Sequence, residues 1–230
     1  MQQQLLKLLQ IRRGSTRLYS IKAQSIKALL IKPLQGLALC FLLLLTGCSD
    51  PELRYLPEQA NILAFGDSLT LGVGTSADQS YPAILQQLTG RQVINAGVSG
   101  EISSAGLNRL PELLNTHAPS LIILLEGGND ILRNQSKQKL KQNLRAMIEI
   151  SRQKEIDLIF IGVPEKSLFS DSAALYSELA EEYDLVHDNE IIADLLRDSR
   201  YKSDPIHFNQ QGYQKLAQRL HQLMLDHGAL

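Results

Sequence analysis

Three short runs, ILAF (Ile62–Phe65), LIILL (Leu121–Leu125) and LIFI (Leu158–Ile161), contain no polar residue at all. A strand wetted on one face alternates polar and apolar side chains; one covered on both faces reads as an unbroken apolar run. Sheets buried on both faces need helices as their cover, and helices carried between strands make the connections crossovers. The intervening stretches supply them. Helices are expected over Tyr81–Leu88, Ser104–His117, Lys137–Lys154, Ala173–Tyr183, Ile191–Arg197 and Gln211–Asp226, with weaker strands at Gln92–Asn95 and Leu185–Val186. In the third helix Leu140, Leu144, Met147, Ile148 and Ile150 mostly share one face. Pro82 suits the first turn of its helix, whereas Pro111 is expected to split the second one. The fold class that follows is α/β: a three-layer α/β/α sandwich around a central parallel sheet of about five strands.

In such a sheet chemistry gathers at the carboxyl ends of the strands. Gly66-Asp67-Ser68-Leu69 follows the first strand, NAGVSGE (Asn95–Glu101) the second, and EGGND (Glu126–Asp130) the third. SDPIHFN (Ser203–Asn209) precedes the last helix. A serine hydroxyl becomes a nucleophile when a base takes its proton, and histidine titrates in the right range. His207 can be that base for Ser68. Asp204, three residues earlier, can fold back on the other ring nitrogen. Backbone N–H groups in VSGE, the Ser68 N–H and the Asn129 amide are suitable donors to a tetrahedral oxyanion. Taken singly, each block has a plain alternative: GDSL as a helix cap or turn, GGND as a turn, DxxH as a cap beside a surface histidine.

The blocks, in this order, resemble those of the SGNH (GDSL) hydrolase superfamily, over nearly all of residues 61–227. NAGVSGE with the following GLNRLPELL, and LLEGGND, are most similar to its bacterial periplasmic thioesterase/lysophospholipase and arylesterase branch. The resemblance implies a flavodoxin-like SGNH fold. It implies Ser68 as nucleophile, His207 as base and Asp204 as third member of the triad, with Ser68, Gly100 and Asn129 forming the oxyanion hole. It further implies an acyl-ester substrate, with carbohydrate O-deacetylation or noncatalytic binding in the cell envelope as alternatives. The GxSxG elbow of α/β-hydrolases is absent, since Asp67 and Leu69 flank the serine. Leu71, Val73, Leu168 and Phe169 are candidates for an acyl pocket. No cofactor is expected. No metal site is expected either: His117, His187, His221 and His227 form no pair with ligand spacing, and Asp67 is read as ordering the serine loop.

The first 47 residues are of another kind. They hold seven basic residues and no acidic one. With 23 basic and 24 acidic residues in the whole chain, 16 basic remain against 24 acidic beyond them, a net charge of −8. An acidic body argues against nucleic acid as a partner. The apolar run Leu34–Leu45, 12 residues, is too short to span a bilayer and suits a signal-peptide core. It ends in Leu45-Thr46-Gly47-Cys48, which resembles a bacterial lipobox. The expected organisation is a lipoprotein signal peptide over 1–47, a lipidated tether over 48–60 and one hydrolase domain over 61–228. Cleavage would remove Cys40, leaving Cys48 as lipid carrier and no disulfide. The expected protein is a monomer tied to a bacterial envelope membrane, facing the periplasm, with the choice of membrane left open.

Overall fold

The computed structural model describes residues 52–165 and 173–230. The chain divides into two units, Met1–Ser49 and Asp50–Leu230, and the fold below is that of the second. In chain order its elements are β1 (Asn61–Gly66), α1 (Ser68–Leu71), α2 (Tyr81–Thr89), β2 (Gln92–Gly97), α3 (Ser103–His117), β3 (Leu121–Leu125), α4 (Gly128–Leu132), α5 (Lys137–Gln153), β4 (Asp157–Ile161), α6 (Ala174–Tyr183), β5 (Val186–Asp188), α7 (Ile191–Arg197) and α8 (Gln210–Asp226).

The five strands form one parallel sheet in the order β2-β1-β3-β4-β5. β1 and β3 are central, which is why ILAF and LIILL carry no polar residue. Ile62 to Phe65 and Leu121 to Leu125 are all buried. Each Ile, Leu and Phe among them contributes about 1.5–3 kcal/mol on leaving water. Two helical layers cover the sheet. α2 packs on α8, with α7 beside it, and α3 packs on α5, with α6 beside it. α5 turns Leu140, Leu144, Met147 and Ile148 inward, as its periodicity requires, and Ser136 caps its start by accepting from Lys139 N. Among the described residues no helix is long and apolar enough to cross a membrane.

The structure departs from the sequence reading in four places. α3 runs unbroken through Pro111. The lost backbone hydrogen bond costs about 3 kcal/mol in a helix interior; burial of Leu110 and Leu114 on either side offsets it. The last strand lies one residue further on, so that His187 is within it. The short helices α1 and α4 begin in the GDSL and EGGND blocks and are too brief to show periodicity. Residues 53–60 are not a free tether. Leu53 and Leu56 are buried, and their amides donate to His227 O and Ala229 O at 2.8 and 2.9 Å. The two leucines have apolar surface to bury, and the end of α8 supplies the acceptors.

One glycine ties β2 to the serine loop. A Cβ on Gly97 would lie 2.1 Å from Leu71 N and 2.6 Å from Leu71 Cα. Only a bare Cα lets the end of β2 approach α1 that closely.

Candidate active site

The carboxyl edge of the sheet gathers the four blocks. Ser68 opens α1 directly after β1. Asp67 caps that helix, its Oδ1 accepting from Leu69 N at 3.0 Å. His207 comes from the loop before α8. Its Nε2 lies 3.0 Å from Ser68 Oγ and its Nδ1 lies 2.7 Å from Asp204 Oδ2. Asp204 Oδ1 accepts from Ile206 N and His207 N, both at 2.9 Å. These contacts join Asp204, His207 and Ser68 in one chain of hydrogen bonds. Burial acts against the Asp204 carboxylate, but the two amides and the imidazole outweigh it and hold the group below its ordinary range.

The loop that carries His207 is pinned on both sides. Ser203 N donates to His207 O at 3.0 Å, and Lys202 bridges Phe208. Asn209 caps α8 through Gly212 N while its Nδ2 donates to Arg200 O and Lys202 O. On the serine side Tyr213 Oη donates to Val73 O at 2.6 Å. The loop after α1 is thus tied to α8, the helix that directly follows the histidine loop.

Three N–H groups, those of Ser68, Gly100 and the Asn129 amide, come from the segments that follow β1, β2 and β3. Ser68 N and Gly100 N donate to no group among the described residues. Asn129 Nδ2 donates one hydrogen to Asp67 Oδ2 at 3.1 Å and keeps a second. Burial pushes the Asp67 carboxyl up to about 6, against the Leu69 amide, His207 and Asn129, which all favour its charge. Above that value Asp67 is ionised and orients the Asn129 amide.

Residues that the sequence reading passed over hold these blocks together. Arg109 on α3 pairs with Glu101 and donates to Gly66 O at 3.2 Å, its guanidinium 4.1 Å above the Phe65 ring. It ties the turn after β2 to the end of β1. Asp130 accepts from Ser103 N and Ser103 Oγ, both at 2.7 Å, and Asn143 Nδ2 donates to Ser103 Oγ at 2.9 Å. That network joins the third block to the starts of α3 and the middle of α5. The acidic residues stood in plain view inside NAGVSGE and EGGND; the distant partners gave no local signal.

A cavity of about 120 Å³ opens beside Ser68. Its apolar walls include Ile131 from α4, Val163 and Pro164 after β4, Ile192 and Leu196 from α7, and Ile206 from the histidine loop. Leu71 and Val73, expected in a pocket, are not among its walls. The Leu71 backbone lies against Gly97 and the residue is 41% exposed, and the Val73 carbonyl accepts from Tyr213. Leu168 and Phe169 lie outside the described residues. Among the described residues no group of three or more His, Cys, Asp or Glu side chains could hold a metal ion.

Residues 64–215, from the middle of β1 into α8, match the GDSL-like lipase/acylhydrolase family. The chain belongs to that family. Among its relatives, Esterase TesA of Pseudomonas aeruginosa is 36% identical over 129 residues, 53% of this chain and 63% of the relative. Thioesterase 1/protease 1/lysophospholipase L1 of Escherichia coli is 34% identical over 131 residues, 54% of this chain and 63% of the relative. The matched region thus spans just under two thirds of those relatives' length. The crystal structure of AlinE4, an SGNH-hydrolase family esterase, is 30% identical, covers 74% of this chain and 97% of its own, and superposes with a TM-score of 0.58. That of TesA, at 24% identity and a TM-score of 0.65, covers 71% of this chain and 97% of its own and shares the fold. The expected parallel α/β architecture is the one GDSL-like hydrolases adopt.

Proposed function

We propose that this GDSL-like hydrolase is a serine esterase that cleaves small acyl esters through an acyl-enzyme, with lysophospholipid and thioester substrates within its chemistry. The observation that carries this reading is the unbroken relay from Asp204 through His207 to Ser68 Oγ. His207 Nε2 takes the serine proton as Oγ attacks the ester carbonyl. The ionised Asp204 keeps the other proton on Nδ1 and steadies the imidazolium. The negative charge that develops on the carbonyl oxygen is met by Ser68 N, Gly100 N and the second hydrogen of Asn129 Nδ2. Each donor of this kind is worth about 2.7–4 kcal/mol in the transition state. His207 then gives its proton to the leaving alcohol, and a water activated by the same nitrogen releases the acid.

The apolar cavity beside Ser68 supports an acyl chain there more than a sugar, since Ile192, Leu196 and Ile206 offer no hydrogen bonds. The test is hydrolysis of p-nitrophenyl esters from acetate to long acyl chains, with a fluorophosphonate probe for the serine. A folded protein that cleaves none of them and ignores the probe sinks the esterase reading and leaves an envelope-binding protein. Leu196→Trp fills the cavity wall. It is expected to cut kcat/KM on the longer esters about 10-fold or more while acetate changes little. An unchanged chain-length profile places the acyl group elsewhere.

We propose further that Cys48 carries lipid and holds the enzyme on a bacterial envelope membrane facing the periplasm. The support is the basic stretch, the apolar run Leu34–Leu45 and the LTGC sequence that ends it. Several acyl chains, at about 0.8 kcal/mol per buried CH₂, hold a protein firmly where one does so marginally. In bacterial cells Cys48→Ala is expected to abolish incorporation of labelled palmitate and to shift the protein out of the membrane fraction. Labelling that persists in the variant rules the anchor out.

A further inference from the structure

Glu126 follows β3 directly and opens the turn that leads to Asn129, yet it takes no part in the relay. Its side chain is wholly buried. One carboxyl oxygen accepts from Gly127 N at 3.1 Å, and the other has no hydrogen-bond partner. Asp67 and Glu126 directly follow Gly66 and Leu125, which pair in the adjacent strands β1 and β3, and the charges of Asp67, of Glu101 in the turn after β2 and of Asp130 on α4 all act on Glu126. Each of those has its own donors: Leu69 N and Asn129 for Asp67, Arg109 for Glu101, Ser103 for Asp130. From α6 comes Tyr176, whose phenol burial keeps protonated and whose hydroxyl donates to Glu126 O at 2.8 Å. Arg109, the cation that pairs with Glu101, also donates to Gly66 O. A carboxylate at 126 would be buried under the influence of like charges, with no ion pair among the described residues, which strongly favours the neutral acid. Burial, reinforced by the charges of Asp67 and Glu101, pushes this carboxyl up to about 9.

We propose that Glu126 is a positioning residue that serves the oxyanion site as a neutral acid, and that its ionisation in alkaline solution switches ester hydrolysis off. The turn it opens has one backbone path. Gly127 sits at φ +107°, and a Cβ there would lie 2.5 Å from Tyr176 Oη. Asn129 follows two residues later, oriented by Asp67. A negative charge on Glu126 repels the Asp67 carboxylate that holds the Asn129 amide. It also opposes the charge that develops on the tetrahedral oxygen. Both effects have the same sign, and both vanish when the group is neutral.

The inference rests on the esterase reading, and one experiment separates the two. kcat/KM for p-nitrophenyl butyrate is measured from about pH 7 to about pH 10.5 for the wild type and Glu126→Gln, each relative to its own plateau. The amide has the shape of the neutral acid and cannot ionise. The wild type is expected to fall about tenfold or more across the alkaline end, and Glu126→Gln to stay within about twofold. The rate of fluorophosphonate inactivation is expected to show the same difference. Profiles that superimpose overturn the proposal. Thermal unfolding gives a second readout. A carboxyl raised in the folded state loses stability as pH climbs from the unfolded value toward the folded one. The melting temperature of the wild type is therefore expected to drop relative to Glu126→Gln between about pH 5 and about pH 8. A widening gap with superimposed activity profiles shows a group that titrates without governing catalysis, and also overturns the proposal. If Glu126→Gln does not accumulate, Glu126→Leu carries the same expectation of a flat limb. A wild type with no plateau activity and no probe reaction sinks the esterase reading itself, and this inference with it.

Discussion

Ser68→Ala is expected to lower kcat on p-nitrophenyl esters on the order of 10⁴- to 10⁶-fold, with KM little changed and the fold intact. The size follows from what Oγ does. It is the atom that forms the acyl bond, and nothing near it can replace it. The fold is spared because the one hydrogen bond of Oγ runs to His207 Nε2, while α1 is built by the backbone. Ser68 O still accepts from Gly72 N and Val73 N, and Asp67 still caps Leu69. Ser68 N, Gly100 N and Asn129 remain in the variant, so a residual rate above water is expected from them. Steady-state kinetics together with a melting curve check the result. A variant that keeps more than about a tenth of the activity would remove Ser68 from the role of nucleophile.

Asp204→Asn is expected to lower kcat about 10³- to 10⁴-fold, more than Asp204→Ala does. The order is the informative part. Asp204 Oδ1 already accepts from two amides, Ile206 N and His207 N. An asparagine at 204 must leave its carbonyl oxygen there, because an NH₂ cannot accept. Its NH₂ then faces His207 Nδ1, which has to become an acceptor. The ring proton moves to Nε2, where it blocks removal of the serine proton. Alanine imposes no such tautomer. The Asp204 side chain is 44% exposed, so water can hold Nδ1–H in its place. Comparison of kcat for the two variants at one pH checks the order. An asparagine variant as active as the wild type would mean that Asp204 does not set the tautomer of His207.

Much of this molecule is legible before folding because its signals are local. ILAF, LIILL and LIFI report burial on both faces, and the structure places them as β1, β3 and β4, strands that cross the centre of the sheet. Ser68 and Asn129 sit where glycine turns interrupt apolar runs at strand ends, His207 lies in a short polar block before the last helix, and the joint resemblance of these blocks to SGNH hydrolases singled the three out. Asp204 and His207 lie close enough in sequence for their contact to be read directly. The reading went astray where the outcome depends on partners. Pro111 looked like a break because its cost is local, while the packing that offsets it is not. Leu71 and Val73 looked like pocket walls because they follow the serine, but they are not among the residues that line the cavity beside it, and Leu71 is 41% exposed.

Residue types and their periodicity by themselves determined a parallel α/β sandwich, and the resemblance of four short blocks to SGNH hydrolases pointed to a serine, an asparagine and an aspartate–histidine pair at one edge. A chain reveals in sequence whatever is settled by near neighbours and by which side chains must leave water. Only the tertiary structure decided that Ser68 and His207, 139 residues apart, meet at 3.0 Å. It also decided that α7 supplies walls of the cavity, that Arg109 ties Glu101 to Gly66, and that Glu126 is buried with one carboxyl oxygen that has no hydrogen-bond partner among the described residues. These depend on strand order and on the handed crossovers that set each helix on its layer, so no stretch of sequence contains them.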